Sequence, residues 1–256
     1  MKLCRFELNE DPGVARSGIY HENRVYETDG KNAIGVHDLG RLRFLAPIGT
    51  PTSLRFLHQS PLEAPHDLVR IYGHPRSLEG VDAQLEVLAG ETELDLELRL
   101  GWVIKDDGDS LEPEEAAGFI LGYLPIATLL PRRAARNSVT AGVPWYAARE
   151  DAWTTGALLS TSDDWESAIG PDVSWNLVLE VNGQEIVTGT FPISPSVKCA
   201  TARLSQILPI RAGDLILSPP LAIPPIAETS LGRWLRPGDQ IAARETVLGR
   251  LAFQVV

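Results

Sequence analysis

Asp95, Glu97 and Arg99 occupy every second position of the segment LDLELRLGWVIK, and side chains two apart on a strand point the same way. Two carboxylates so placed suit a hard divalent cation, which takes oxygen ligands. A guanidinium in the same row does not, because it is a permanent cation. Two chemistries follow. The row is either a fixed positive charge with a planar donor fork for a carboxylate or enolate, or a solvated strand face with an in-strand ion pair worth about 0–1 kcal/mol. Groups that titrate near neutrality are confined to the first part of the chain, as His21, His37, His58, His66 and His74. Singly, His58, His66 and His74 each read as ordinary loop residues. No Ser-His-Asp spacing, P-loop or G-x-G-x-x-G opening a helix is present, so acyl-serine, nucleotide-phosphate and Rossmann chemistries find no support.

The elements that must carry these residues belong to a chain of 256 residues, enough for one large core or a main domain with a smaller companion. Its net charge of −11 argues against nucleic acid or an anionic membrane as partner, since both select clustered lysine and arginine. Cys4 and Cys199 have no metal spacing, and the simplest compartment is a reducing one. The start MKLCRFELNEDPG lacks an apolar stretch and no run reaches membrane-spanning length. A cytoplasmic, soluble protein is expected.

LDLELRLGWVIK alternates, with Leu94, Leu96, Leu98, Leu100 and Trp102 on its apolar side, as a half-buried strand does. KLCRFEL and SGIYHENRVYETDG read as short strands of a small β-rich lobe, and residues 51 to about 80 as loops. DSLEPEEAAGFILGY carries helix-start signals: Pro113, acidic residues in the first turn, then apolar Ala117, Phe119, Ile120 and Leu121. Asn182-Gly183 marks a hairpin in SWNLVLEVNGQEIVTGTF. SVKCATARLSQILPI can be helical, RAGDLILSPP is a turn and short strand, and LRPGDQIAARETVLGRLAFQVV closes with two strands. The fold class is α+β, mainly β, with mixed sheets.

Taken in order, RFLAPI, ELRLGWVIKDDGDSLEPEEAAGFILGYLPIATLLPRR, LVLEVNGQEIVTGTF, LSQILPIRAGDLIL and LRPGDQIAARETVLGRL resemble the fumarylacetoacetate hydrolase superfamily from about Arg43 to Val256. No one motif is specific; their order carries the resemblance. It implies a mixed β-sandwich roll with a small N-terminal lobe, here residues 1–60 before a catalytic domain of 61–256, and a homodimer. It also implies chemistry on 2-oxo or 1,3-dioxo acids: C–C hydrolysis, decarboxylation, hydration or isomerisation. The family's E-x-E pair and a later Asp or Glu hold Mg²⁺ or Mn²⁺. Aligned without gaps, those positions are Glu97, Arg99 and Thr128, so one ligand of three is kept.

The expectation is therefore a pocket without a metal cofactor, in which Arg99 replaces the ion and Glu97 orients it. Arg149 stands where the family has a lysine and can anchor a carboxylate but not act as a base. Ser218 retains the hydroxyl of a family turn, Arg132 matches an arginine that is either substrate-binding or in a structural pair, and Thr128 is at most a hydroxyl donor. His58 with Glu63, or His66, is the candidate base. Two hypotheses remain. The first is an enzyme acting on an enolisable dioxo, 2-oxo-acid or polyketide-like substrate, by isomerisation, cyclisation or decarboxylation rather than hydrolysis. The second is a non-catalytic binding or dimer-partner protein, favoured if Arg99 and Glu97 are locked in a closed pair. Metal-dependent hydrolysis would need displaced ligands such as Glu93, Asp95 and Glu97.

Overall fold

A computed structural model describes residues 1–59, 68–73, 78–87, 89–142, 153–169, 174–193 and 196–256. The N-terminal strands are β1 (Lys2–Leu8), β2 (Asp11–His21), β3 (Arg24–Thr28), β4 (Ala33–Asp38) and β5 (Leu42–Leu45). Then come β6 (Leu54–Gln59), β7 (Leu68–Gly73), β8 (Leu78–Glu79), β9 (Ala83–Leu85) and β10 (Leu94–Ile104). Helix α1 (Pro113–Ala117) leads into β11 (Ile120–Pro131), and α2 (Arg132–Thr140) follows at once. The remainder is β12 (Trp153–Thr155), β13 (Leu158–Thr161), α3 (Ser162–Ile169), β14 (Ser174–Val181), β15 (Gln184–Pro192), α4 (Val197–Ser205), β16 (Leu215–Leu217), β17 (Gln240–Glu245) and β18 (Gly249–Val255).

These form two sheets among the described residues. The larger runs β4-β3-β2-β1-β13-β11-β10-β16-β6-β7, with β5, β8 and β12 attached, and the smaller runs β15-β14-β17-β18-β9. β6 joins β16 in parallel, and β18 joins β9 in parallel, so both sheets are mixed. The N-terminal strands are continuous with the main sheet through the β1–β13 pair.

The strand β10 and its antiparallel partner β11 are the spine. On one side Leu94, Leu96, Leu98, Leu100 and Trp102 enter the core between the sheets, against Leu177, Leu179, Leu251 and Phe253. Each such side chain is worth about 1.5–3 kcal/mol when fully withdrawn from water. The opposite side meets a second apolar cluster containing Phe56, Val103, Ile126 and Trp153. The polar row of β10 is thus buried as well, with Asp95 1% and Arg99 0% exposed. A solvated strand face is excluded.

Two local expectations change. Residues 51–80 contain paired strands, β6 on β7 and on β16, where loops are expected. The helix opened by Pro113 ends at Ala117, and Ile120 and Leu121 belong to β11. Gly122 lets β11 pass close to β13: a Cβ there would lie 2.3 Å from the Ser160 carbonyl oxygen. The Asn182-Gly183 turn connects β14 and β15 with both residues at positive φ, 53° and 77°, as a two-residue hairpin requires.

Candidate functional site

Arg99 sits near the middle of β10, opposite Ile126, and Glu97 sits two residues earlier, opposite Thr128. The register therefore brings together the three positions compared above with a metal site. The Arg99 Nη2 donates to Glu97 Oε2 at 2.9 Å, and Nε reaches the same oxygen at 3.3 Å. Its Nη1 donates to the carbonyls of Leu57 (3.0 Å) and Ser218 (2.8 Å). The guanidinium carbon also lies 6.0 Å from the Phe56 ring centre and 5.9 Å from that of Trp153, within cation–π reach.

The Ser218 carbonyl is available because of a substitution in the ladder just past β16. Ser218 N–H donates to the Leu100 carbonyl, but Leu100 N–H returns its bond to Ser218 Oγ at 3.0 Å. That leaves the backbone oxygen for Arg99. Ser218 Oγ also donates to the Pro219 carbonyl at 2.7 Å, and the residue is 2% exposed.

Burial pushes the Arg99 pKa down from its ordinary value, while the charge and hydrogen bond of Glu97 raise it. The guanidinium nevertheless keeps its proton. Thr128 is 1% exposed, and its hydroxyl donates to the Leu129 carbonyl at 3.3 Å. Of the three positions, Glu97 has the accessible side chain, at 12%.

Asp95 belongs to a separate network. One carboxylate oxygen accepts from Arg132 Nε, the other from the Ile226 N–H at 3.0 Å. Arg132 opens α2, lies over Trp234 at 5.9 Å, and is 36% exposed. Its ion pair with Asp95 is the structural alternative foreseen for it, and its partial exposure leaves a face toward solvent. The sequence did not single out Asp95–Arg132 as a pair, because the partners are 37 positions apart.

The backbone of His58 pairs with Val69 in β6–β7; its side chain, and all of Glu63, His66 and Arg149, lie outside the described residues. A divalent ion does not fit the donor set that is described. Arg99 projects its cation onto Glu97, Asp95 is held by Arg132 and a backbone N–H, and Glu93 pairs with Arg136 at 2.7 Å. Among the described residues no group of three His, Cys, Asp or Glu side chains is placed to hold a metal. The displaced-ligand alternative meets the same obstacle.

A family model described as fumarylacetoacetate (FAA) hydrolase, C-terminal, matches residues 51–256. A search of curated proteins finds no match. Similar solved structures include fumarylacetoacetate hydrolase from psychrophilic Exiguobacterium antarcticum, with TM-score 0.81 and 22% identity over 100% of this chain and 99% of that one. The 5-carboxymethyl-2-hydroxymuconate delta-isomerase from Mycobacterium smegmatis gives 0.79 and 21%, covering 100% and 98%. The 2-hydroxyhepta-2,4-diene-1,7-dioate isomerase from Mycobacterium marinum gives 0.78 and 20%, again covering 100% and 98%. At these identities the likeness establishes the fold. No described helix is long and apolar enough to cross a membrane.

Proposed function

We propose that this chain, which belongs to the fumarylacetoacetate hydrolase family, is an enzyme acting on an enolisable 2-oxo or dioxo acid by isomerisation, cyclisation or decarboxylation. The observation that carries the reading is the Glu97–Arg99 pair, an accessible carboxylate backed by a fully buried guanidinium. Arg99 supplies fixed positive charge where a dication would otherwise be needed, and in a site withdrawn from water that charge acts strongly. Glu97 is the group that meets substrate. In an isomerisation its carboxylate takes a proton from the carbon next to the carbonyl, leaving an enolate, and returns it at another carbon of the conjugated system. Arg99 is a positioning residue in this scheme: it holds the carboxylate in place and stabilises the charge through it.

Support for the isomerase branch comes from the two isomerases among the similar structures. The same chemistry requires no activated water. A homodimer, a cytoplasmic location and a small-molecule substrate complete the proposal.

A second reading rests on a specific observation. Arg99 is closed in by Glu97 and by the carbonyls of Leu57 and Ser218, which suits a non-catalytic relative that keeps the fold for binding. One experiment separates them. The purified protein, with and without chelator treatment, is assayed against a panel of 2-oxo and 2,4-dioxo acids, following loss of enol absorbance and release of CO₂. Turnover that survives chelation and is lost in Glu97→Gln supports the enzyme. Turnover that depends on added Mg²⁺ or Mn²⁺ refutes the metal-free reading, and no turnover with any substrate favours the binding protein.

A further inference from the structure

The N-terminal strands and the far end of β10 line a cavity of about 670 Å³, open to solvent on one side, that the Glu97–Arg99 pair does not border. Leu3, Ile19, Ile48 and Leu121 give it apolar walls, and Arg5 and Lys105 give it charge. Lys105 lies six residues along the chain from Arg99, about 20 Å at the rise of an extended strand.

The charge balance of this cavity is unlike that of the molecule. The chain has 34 acidic residues to 23 basic ones, yet no Asp or Glu is among the described residues lining the cavity. Three other buried or half-buried arginines are matched by acids: Arg16 by Asp11 and Glu27, Arg55 by Asp214, Arg233 by Asp239. Arg5 instead donates from Nη1 alone, to the carbonyls of Ala46 and Ile48. Neither Arg5 nor Lys105 forms an ion pair among the described residues. Of the two acids that follow Lys105 in the chain, Asp107 is turned to Arg211 and to the Ala212 N–H, and Asp106 is exposed and forms no ion pair among the described residues. Two cations without ion pairs among the described residues thus line one largely apolar space, and the volume is that of an ordinary small-molecule site.

We propose that this cavity binds a small organic carboxylate with an apolar body, of medium-chain or aryl type, its head between Arg5 and Lys105 and its tail against Leu3, Ile19 and Leu121. Both halves of the site are needed. Two cations without the apolar walls would take any anion, and the walls without cations would take any apolar molecule.

The test is isothermal titration of the full chain with octanoate, octanol and inorganic phosphate. Octanoate is expected to bind at least tenfold more tightly than either comparator. Lys105→Glu, on an exposed side chain, is expected to weaken octanoate at least tenfold, which binding beside Glu97 would not show. Ile19→Trp, which fills the cavity, is expected to abolish it. The proposal is overturned if octanoate does not bind, if Lys105→Glu leaves its affinity unchanged, or if octanol or phosphate binds equally well. It is also overturned if sedimentation shows that Ile19→Trp dissociates an oligomer, since the cavity is then a contact between copies.

Discussion

Arg99→Met tests the physical core of the site. The substitution keeps an unbranched apolar stem but removes the guanidinium, leaving three groups without their cation: the Glu97 carboxylate and the carbonyls of Leu57 and Ser218. Removing one partner of a buried pair costs about 3–5 kcal/mol. Each carbonyl deprived of its donor adds about 1–3 kcal/mol, the lower end if water enters. With both carbonyls at the low end the expected loss is about 5–7 kcal/mol, which approaches the whole stability of a typical domain. Arg99→Lys keeps the charge but not the fork and is expected to lose about 1–3 kcal/mol. The assay is urea unfolding of the wild type, both Arg99 variants, Glu97→Met and the Arg99→Met/Glu97→Met double variant. Because the double variant removes the stranded carboxylate as well, it is expected to be less destabilised than the two single losses added together, by about 2–3 kcal/mol, the upper part of the range for residues in contact. If Arg99→Met lies within about 1 kcal/mol of the wild type, inside the ordinary run of single substitutions, the guanidinium is not committed as described and the argument fails.

Three further outcomes follow from the geometry. Asp239 is partly desolvated, which raises its pKa, but Arg233, Asn182 and the Arg236 N–H together bring it below the usual carboxylate value. Its stabilisation is therefore present above the unfolded-state pKa of about 4 and lost as pH falls through the lower folded value; the gap in stability between wild type and Asp239→Asn, followed by urea unfolding from pH 7 down to pH 2, should close on the acid side. Burial pushes the Cys4 thiol up to about 12, so iodoacetamide at pH 8 should label exposed Cys199 and spare Cys4 until the protein is unfolded, as peptide mass mapping would show. Thr201→Val leaves the buried Trp102 indole N–H without the hydroxyl that accepts from it at 3.0 Å, and thermal or urea unfolding should register a loss of about 1–3 kcal/mol.

The strands with period-two patterning and the Asn182-Gly183 turn were legible in the sequence because their signals are local. So was the grouping of Glu97, Arg99 and Thr128 as one set of positions, once the order of motifs was matched to the family; that their strands pair directly comes from the register of β10 and β11. The burial of the polar row was not legible. A charged face reads as solvated unless its partners are known, and those of Arg99 and Asp95 come from Leu57, Ser218, Arg132 and Ile226, between 37 and 131 positions away. Strands β6 and β7 escaped for a related reason: β6 is six residues long and is fixed by parallel pairing with β16, about 160 positions later. The end of the helix begun at Pro113 is not legible either, because the largely apolar run from Ala117 to Leu121 suits a helix and a strand alike. Gly118 closes the helix, and the run beyond it pairs with β10.

A cation carried on a side chain has no dissociation constant. A site built around a captured ion exists only to the extent that the ion is in supply, and its charge varies with concentration, competing metals and chelators. The guanidinium of Arg99 arrives with translation, at one copy per chain, and is fastened when β6, β10 and the segment after β16 come together. The placement of its positive charge is thereby coupled to completion of the fold: a molecule that has not assembled those three segments has the arginine but not the site.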